Sequence, residues 1–499
     1  MKSFIPFIKE YATRDFIYFF SQKSIEMYKQ QLEKKDNDLS ASMTFSMNAI
    51  LHGFIHKQVQ VRLSAWDIQD MVYLSIKNAN DYRKKIMTED KAGSVVNLYR
   101  GYENEYTGLQ CKEKSRGEDI FKLLMGMTYE QFKYQNLSWT YQSFNRNYHI
   151  LVASNKICRD TIIDVNDITA KLFQLGVEEF LEIELIIWWL CTLSPTPLAI
   201  PEITYNKNSS TFLTKGNIRK IVDYYSVTYS QVRESIVEKQ VFYSKPFVIT
   251  EKKNETILSN FYLLQMLLGD GLYWLVRDYY QQNNLGQKFI NAFGMMFEDY
   301  FEELVDEYMP KDTWHKIPEK RGKSADYYIE VEDVIFLFEL KSGLLGIGAK
   351  QQTPDIKQIN NFYNRNIKEA YEQLKASAKE YEGKKQIIKV FLLYENMTNT
   401  QIVMSSMPEI FLDDSQYYIM TIEDLEVLLI TYKNNREVFK EIIGALVTNQ
   451  NTLVHFKTVH NVLNEYNVLE NEHFVNERDY FAHILIHLSK ELDVKMEEK

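Results

Sequence analysis

The chain reads as a multidomain α + α/β protein: a large, mainly helical N-terminal region, then a mixed α/β unit, then a helical C-terminal tail. Three observations predict this. Two runs rich in β-branched and aromatic residues, Tyr327 to Val331 and Val334 to Leu340, flank a polar turn at Glu332-Asp333. Apolar stripes at helical spacing stand on either side, Phe297, Phe301, Leu304, Val305 and Tyr308 before them and Ala370, Leu374 and Ala378 after. Upstream, long stretches of the first 285 residues show helical rather than alternating periodicity. At 499 residues the chain is long enough for more than one domain. The divisions expected are 1–285 (sensing, regulatory or nucleic-acid binding), 286–430 and 431–499.

Along the N-terminal region, helices are expected over Ile5 to Leu32, Ser40 to Val61, Asp67 to Ile86 and Asp167 to Leu193. Asp164, three residues before Asp167, is a fair N-cap for the last of these. The most apolar segment, Leu185 to Ile200, is broken by Ser194-Pro-Thr-Pro197, so it reads as a buried helix rather than a membrane span. Phe242 to Thr250 reads as a short strand and Ile257 to Tyr280 as a long apolar helix. Thr214 to Tyr225 and Ser226 to Arg233 would make two short helices about a turn. Such a pair is either a nucleic-acid reader or, three times more often by rough count, plain packing. The histidine pairs His52/His56 and His483/His487 sit at i, i+4. Gly53 and Ile484 occupy the position where a zinc hydrolase motif needs glutamate, and amphipathic helix faces account for both pairs.

The chemistry concentrates in the α/β unit. Folding Tyr327–Val331 against Val334–Leu340 about Glu332-Asp333 sets Asp326 opposite Glu339, with side chains about 5 Å apart on one face. Lys341 lies two residues past Glu339 and shares that face, while Phe336, Phe338 and Leu340 point to the other, toward a core. Two opposed carboxylates repel unless a cation lies between them, and hard oxygen ligands suit magnesium or manganese. The bland alternative makes Asp326 and Glu339 ordinary surface acids and Lys341 a solvated strand end. A helix over Ile367 to Tyr381 and a buried strand over Gln386 to Tyr394 follow, then a strand-to-helix segment over Tyr417 to Leu425.

Lys323-Ser-Ala-Asp326 followed by Glu339-Leu340-Lys341 resembles the signature of the PD-(D/E)xK, or restriction-endonuclease-like, nuclease superfamily, with Ala325 where proline often stands. The order helix, strand, hairpin, helix, strand over roughly 286 to 396 is similar to that superfamily's αβββαβ core. The resemblance implies a metal-dependent phosphodiesterase or endonuclease. Asp326, Glu339 and the Leu340 carbonyl would hold Mg²⁺ (or Mn²⁺), and Lys341 would orient the attacking water and offset phosphate charge. Glu298, following Gly294 on the first helix, would reach the metal through water, ahead of its neighbours Asp299 and Glu302. Gln373 matches a glutamine found on the helix after the acid-x-Lys strand, although an exposed helix position fits it equally. A large unique domain fused to such a core is similar in layout to bacterial restriction and phage-defence effectors.

Composition sets limits. A net charge of −10 argues against a protein that coats nucleic acid indiscriminately. Residues 311–400 carry 15 Lys and Arg against 13 Asp and Glu, so this segment is +2 and the remainder −12, as phosphate binding favours. Lys316, Lys320, Arg321 and Lys323 would line a strand groove or simply guard an edge strand. The glycine-rich run Ser342 to Lys350 lacks the P-loop Gly-Lys-Ser/Thr and reads as a lid or a connector. Cys111, Cys158 and Cys191 form no CxxC pair, and the N-terminus lacks a signal-peptide run, so a cytoplasmic protein is expected. The expected partner is nucleic acid, DNA ahead of RNA, with no membrane and with a homo-oligomer compatible with two-strand cutting. The contrasting expectations are a noncatalytic nucleic-acid-binding or regulatory protein reusing the fold, and a helical scaffold acting through protein contacts.

Overall fold

The structure is a computed structural model, and it describes residues 3–33, 41–51, 55–113, 134, 138–154, 164–199, 212–318, 324–344, 361–383, 385–394, 400–452, 455–469 and 479–491. It is mixed α/β and mainly helical, with three small sheets among the described residues. The longer helices are α1 (Thr13–Glu33), α2 (Ala65–Asn78), α3 (Glu89–Glu113), α4 (Ser138–Tyr148), α5 (Val165–Phe173), α6 (Val177–Leu193), α7 (Lys215–Tyr224), α8 (Phe261–Gln282), α9 (Gly286–Tyr308), α10 (Glu369–Tyr381), α11 (Ile422–Asn434), α12 (Arg436–Val447) and α13 (Tyr480–Glu491).

The central sheet runs β10-β9-β8-β7-β6, from β6 (Trp314–Lys316), β7 (Tyr327–Val331), β8 (Val334–Lys341), β9 (Gln386–Leu393) and β10 (Tyr417–Thr421). β6, β7 and β8 are antiparallel neighbours, whereas β8, β9 and β10 run parallel. Parallel neighbours need a crossover, and α10 supplies it between β8 and β9. Both faces of the sheet are covered. On one, Phe301 of α9 packs its ring 4.6 Å from Tyr327 and 5.4 Å from Phe338. On the other, Ala370 and Leu374 of α10 share a core with Tyr328, Ile335 and Leu337. This two-sided burial explains why β8 is almost continuously apolar instead of alternating.

The sequence reading fails in one place of consequence. Ser40 to Val61 is not a helix: β1 (Ser42–Leu51) and β2 (Ile55–Ser64) form an antiparallel two-stranded ribbon. Over 43–48 and 58–63 its residues alternate, with Met43, Phe45 and Met47 facing Leu63, Val61 and Val59 on one side and polar residues on the other. That is period two, not 3.6. His56 therefore lies on a strand and shares no helix face with His52, which falls outside the described residues.

Other elements are shorter than the stripes suggest. The first helix breaks after Ile8, where Tyr11 and Ala12 bridge to Lys85 and Asn80, and α2 stops at Asn78. Asp167 to Leu193 is two helices, parted at Gln174, whose backbone is left-handed (φ 62°). Asp164 does cap α5, accepting the Asp167 N–H at 2.9 Å. Phe242 to Thr250 begins as helical turn (Val241–Ser244) and becomes β4 only at Phe247–Ile249, between β3 (Ser226–Thr228) and β5 (Thr256–Leu258). The long apolar segment begins as β5, and α8 starts at Phe261, where the side chain of Asn260 caps it. Between the two short helices of the 214–233 segment stands β3, and Arg233 is tied to the Ile76 and Ala79 carbonyls. The packing reading suits that geometry.

One buried apolar cluster includes residues from Phe4 through Phe338 to Leu488. Within it α4 packs along α8, and α13 packs on α4 and α6. His483 and His487 do lie on one helix, where His487 Nδ1 meets Glu182 Oε1 at 2.6 Å. No described helix is long and apolar enough to cross a membrane.

Candidate active site at the end of the central strand

β7 and β8 pair in the register expected from the sequence, Tyr327 opposite Phe338 and Val331 opposite Val334. One step beyond the ladder, the Asp326 N–H donates to the Phe338 carbonyl at 2.9 Å and its own carbonyl accepts from Ile317 at 2.8 Å. Asp326 is thereby fixed beside Glu339. Its carboxylate turns back onto β8, with Oδ2 accepting the Leu340 N–H at 2.7 Å.

Glu339 is 1% exposed, a rare position for a carboxylate unless it is paired. Lys341 Nζ donates to its Oε1 at 2.7 Å. Oε2 is buried without a hydrogen-bond partner among the described residues. Burial first, and then the charge of Asp326, push the Glu339 carboxyl up to about 7, while Lys341 and Gln373 draw it down. Asp326 is raised as well, chiefly by burial, against the Leu340 N–H and Lys341. Two acids in one buried corner thus resist ionising together, which is how carboxylate sites with shared protons or cations behave.

The helices hold this corner from both sides. From α10, Gln373 Nε2 lies 3.4 Å from the Ser324 carbonyl. One turn on, Ser377 Oγ accepts the buried Ala325 N–H at 2.8 Å. Ser377 was not singled out from the sequence, although its i, i+4 spacing from Gln373 was a usable signal. From α9, Gly294 faces the strand end, where a Cβ would make ordinary contact with Ser342 Oγ at 3.4 Å. Glu298 stands at the rim, its Oε2 2.6 Å from Lys316 Nζ, and its charge raises Asp326. Glu302 is engaged differently, accepting the Tyr327 hydroxyl at 2.7 Å.

Asp326, Glu339, Lys341 and Gln373 therefore come together, with Leu340 between the two β8 residues and Glu298 one ion pair away. Of the basic run, Lys316 is paired with Glu298, whereas Lys320, Arg321 and Lys323 lie outside the described residues, as does 345–350 of the glycine-rich segment. Cys191 is a buried free thiol.

No group of three or more His, Cys, Asp or Glu side chains suited to an ion occurs among the described residues. The donor set on offer is two carboxylates and a backbone carbonyl. A hard divalent ion would complete its shell with water there, and the orphaned Glu339 Oε2 is an oxygen suited to it. No protein-family model, curated protein or solved structure matches the chain.

Proposed function

We propose that the chain is a metal-dependent nuclease that hydrolyses phosphodiesters, DNA ahead of RNA, at the Asp326–Glu339–Lys341 corner, within a restriction-endonuclease-like core. The observation that carries this reading is the pair of adjacent acids, one of them 1% exposed with an oxygen that has no partner among the described residues, beside a lysine at 2.7 Å. An acid pair so costly to bury is expected where it serves a cation or a proton.

Asp326, Glu339 and the Leu340 carbonyl would hold Mg²⁺ or Mn²⁺. When bound, such an ion polarises a phosphoryl oxygen and lowers the pKa of water. Asp326 is kept in place by the Leu340 N–H and by the α10 clamp on Ser324 and Ala325. Lys341 Nζ, placed 2.7 Å from Glu339 Oε1, would donate to the scissile phosphate as negative charge gathers on it. Gln373 sits where it steadies Glu339. Glu298 and Lys316 form the rim on which a strand backbone would rest. A cytoplasmic role in bacterial restriction or phage defence, acting as a dimer when both strands are cut, accords with this reading.

Cleavage of supercoiled plasmid, linear duplex, single-stranded DNA and RNA in Mg²⁺ or Mn²⁺ tests it. Wild type is expected to cut, and Glu339→Gln and Lys341→Ala to lose about a hundredfold or more. Equal cutting by all three would overturn the assignment. A noncatalytic reuse of the fold has one observation in its favour, the internally satisfied Lys341–Glu339 pair. It predicts nucleic-acid binding that survives both substitutions and no metal-dependent cleavage.

A further inference from the structure

We propose that the polar face of the β1–β2 ribbon is a docking surface for duplex DNA, shaped to enter the major groove. The ribbon stands in the N-terminal region and the inference does not rest on the hydrolysis reading.

Alternation over 43–48 and 58–63 gives this part of the ribbon two unlike faces. Phe45, Val61 and Leu63 are buried against the body of the protein. The opposite face carries Thr44 across from Arg62, Ser46 across from Gln60, and Asn48 across from Gln58, all six exposed. Gln60 Nε2 reaches Ser46 Oγ at 2.9 Å and Arg62 Nε reaches Ser42 Oγ at 2.9 Å, so the row is pre-ordered across the strands. The ribbon is seated closely: a Cβ on Gly93 of α3 would lie 2.7 Å from the Ser46 carbonyl. Among the described residues neither edge pairs with a further strand.

Charge selects the partner. From Leu39 to Trp66 the sequence contains no Asp or Glu, in a chain that carries 68 of them. Arg62 makes the polar face positive, while Lys57, opposite Ala49, adds its charge on the other side of the ribbon. The acids just beyond it, Asp67 and Glu103, are both held by Arg100, at 2.7 and 2.9 Å. A surface without carboxylates on an acidic protein is one that a polyanion approaches without local repulsion.

Shape and chemistry then narrow the polyanion. A two-stranded ribbon fits the major groove of B-form DNA, where amide side chains pair with adenine and arginine with guanine. None of these six residues is an aromatic on which single-stranded bases would stack. The major groove of A-form RNA is too narrow to admit it. A protein partner would look for large aromatic anchors, and these six residues offer none.

The test is anisotropy of a labelled random-sequence DNA duplex in EDTA, where cleavage cannot intervene. Wild type is expected to bind, with double-stranded RNA competing poorly. Gln58→Glu/Gln60→Glu is expected to weaken binding about tenfold or more, and Arg62→Ala to lower the salt slope by about 1. Thr44→Glu on the other strand repeats the test if the double variant melts early. Glu437→Gln, an exposed acid of α12 outside both sites, is expected to bind as wild type does, and cleavage in Mg²⁺ reports on the active site separately. Absence of duplex binding by wild type, unchanged affinity in the folded ribbon variants, or equal competition by double-stranded RNA would each overturn the proposal.

Discussion

Tyr394, at the end of β9, donates its hydroxyl to Asn147 Oδ1 of α4, while its backbone N–H holds the Lys341 carbonyl at 3.0 Å. One residue thus joins the helical N-terminal region to the strand end that carries the candidate lysine. Asn147 is itself tied onward, its Nδ2 donating to the Gly269 carbonyl at 3.0 Å. Tyr394→Phe removes the donor and strands a buried amide oxygen. A loss of about 1–3 kcal/mol is expected, read as a lower urea midpoint at unchanged slope. If the link also steadies Lys341, cleavage falls through kcat with KM unmoved. An unchanged midpoint would show that Asn147 finds another donor.

Ser377 is the second handle on the site. Its hydroxyl is the acceptor for the Ala325 N–H, and Ala325 is 1% exposed, so water cannot replace it without a shift of backbone. Ser377→Ala is expected to cost about 1–3 kcal/mol and to let Asp326 drift. Ser377→Thr keeps the oxygen and is expected to restore most of the cleavage rate. A purely structural role would lower the melting point of Ser377→Ala without changing the kcat of the folded fraction.

The hairpin was legible because several signals agreed there. Asp326 and Glu339 are brought together by a two-residue turn between strongly β-prone runs, and the turn fixes the register. The flanking α9 and α10 announce themselves by apolar stripes that the structure buries at Phe297, Phe301, Ala370 and Leu374. Ser377 was missed because its partner is a backbone N–H some fifty residues away, and its i, i+4 spacing from Gln373 places it on the right helix face without naming that partner. The β1–β2 ribbon was missed because methionine, alanine and leucine, good helix formers, occupy strand positions there. Its alternation was the better guide. The shorter helices end at tertiary bridges such as Ala12 to Asn80, which periodicity cannot see.

Glu184 of α6 makes stability depend on pH. Neither of its carboxyl oxygens completes a hydrogen bond among the described residues, and it borders a small cavity lined by Ile187, Trp188, Phe247 and Leu264. Burial raises it from 4.5 to about 8, more than the nearby Tyr225 hydroxyl lowers it. The folded chain therefore holds this proton more tightly than the unfolded chain does. The associated stability is full below about pH 4.5 and is lost as pH rises toward 8. Glu184→Gln is expected to flatten the profile in that window by roughly 2–4 kcal/mol. Denaturation midpoints of the two proteins between pH 5 and 9 check it, and parallel profiles would refute it.

Arg146 of α4 and Glu426 of α11 form a buried bidentate pair, both contacts 2.7 Å, and Tyr300 of α9 adds its hydroxyl to Glu426 at 2.7 Å. The side chains are 5% and 3% exposed. Desolvating two charges offsets much of their attraction, so the pair contributes little net stability over apolar residues of similar size. Breaking it is a different matter, since the survivor is a buried charge without its counterion. Arg146→Met alone and Glu426→Leu alone are each expected to cost about 3–5 kcal/mol. The double variant is expected to recover most of that, short of the roughly 1–2 kcal/mol that goes with the Tyr300–Glu426 hydrogen bond. A double-mutant cycle in urea measures the coupling directly. Additive losses would mean that water reaches the pair, and that α4, α9 and α11 are joined there by packing alone.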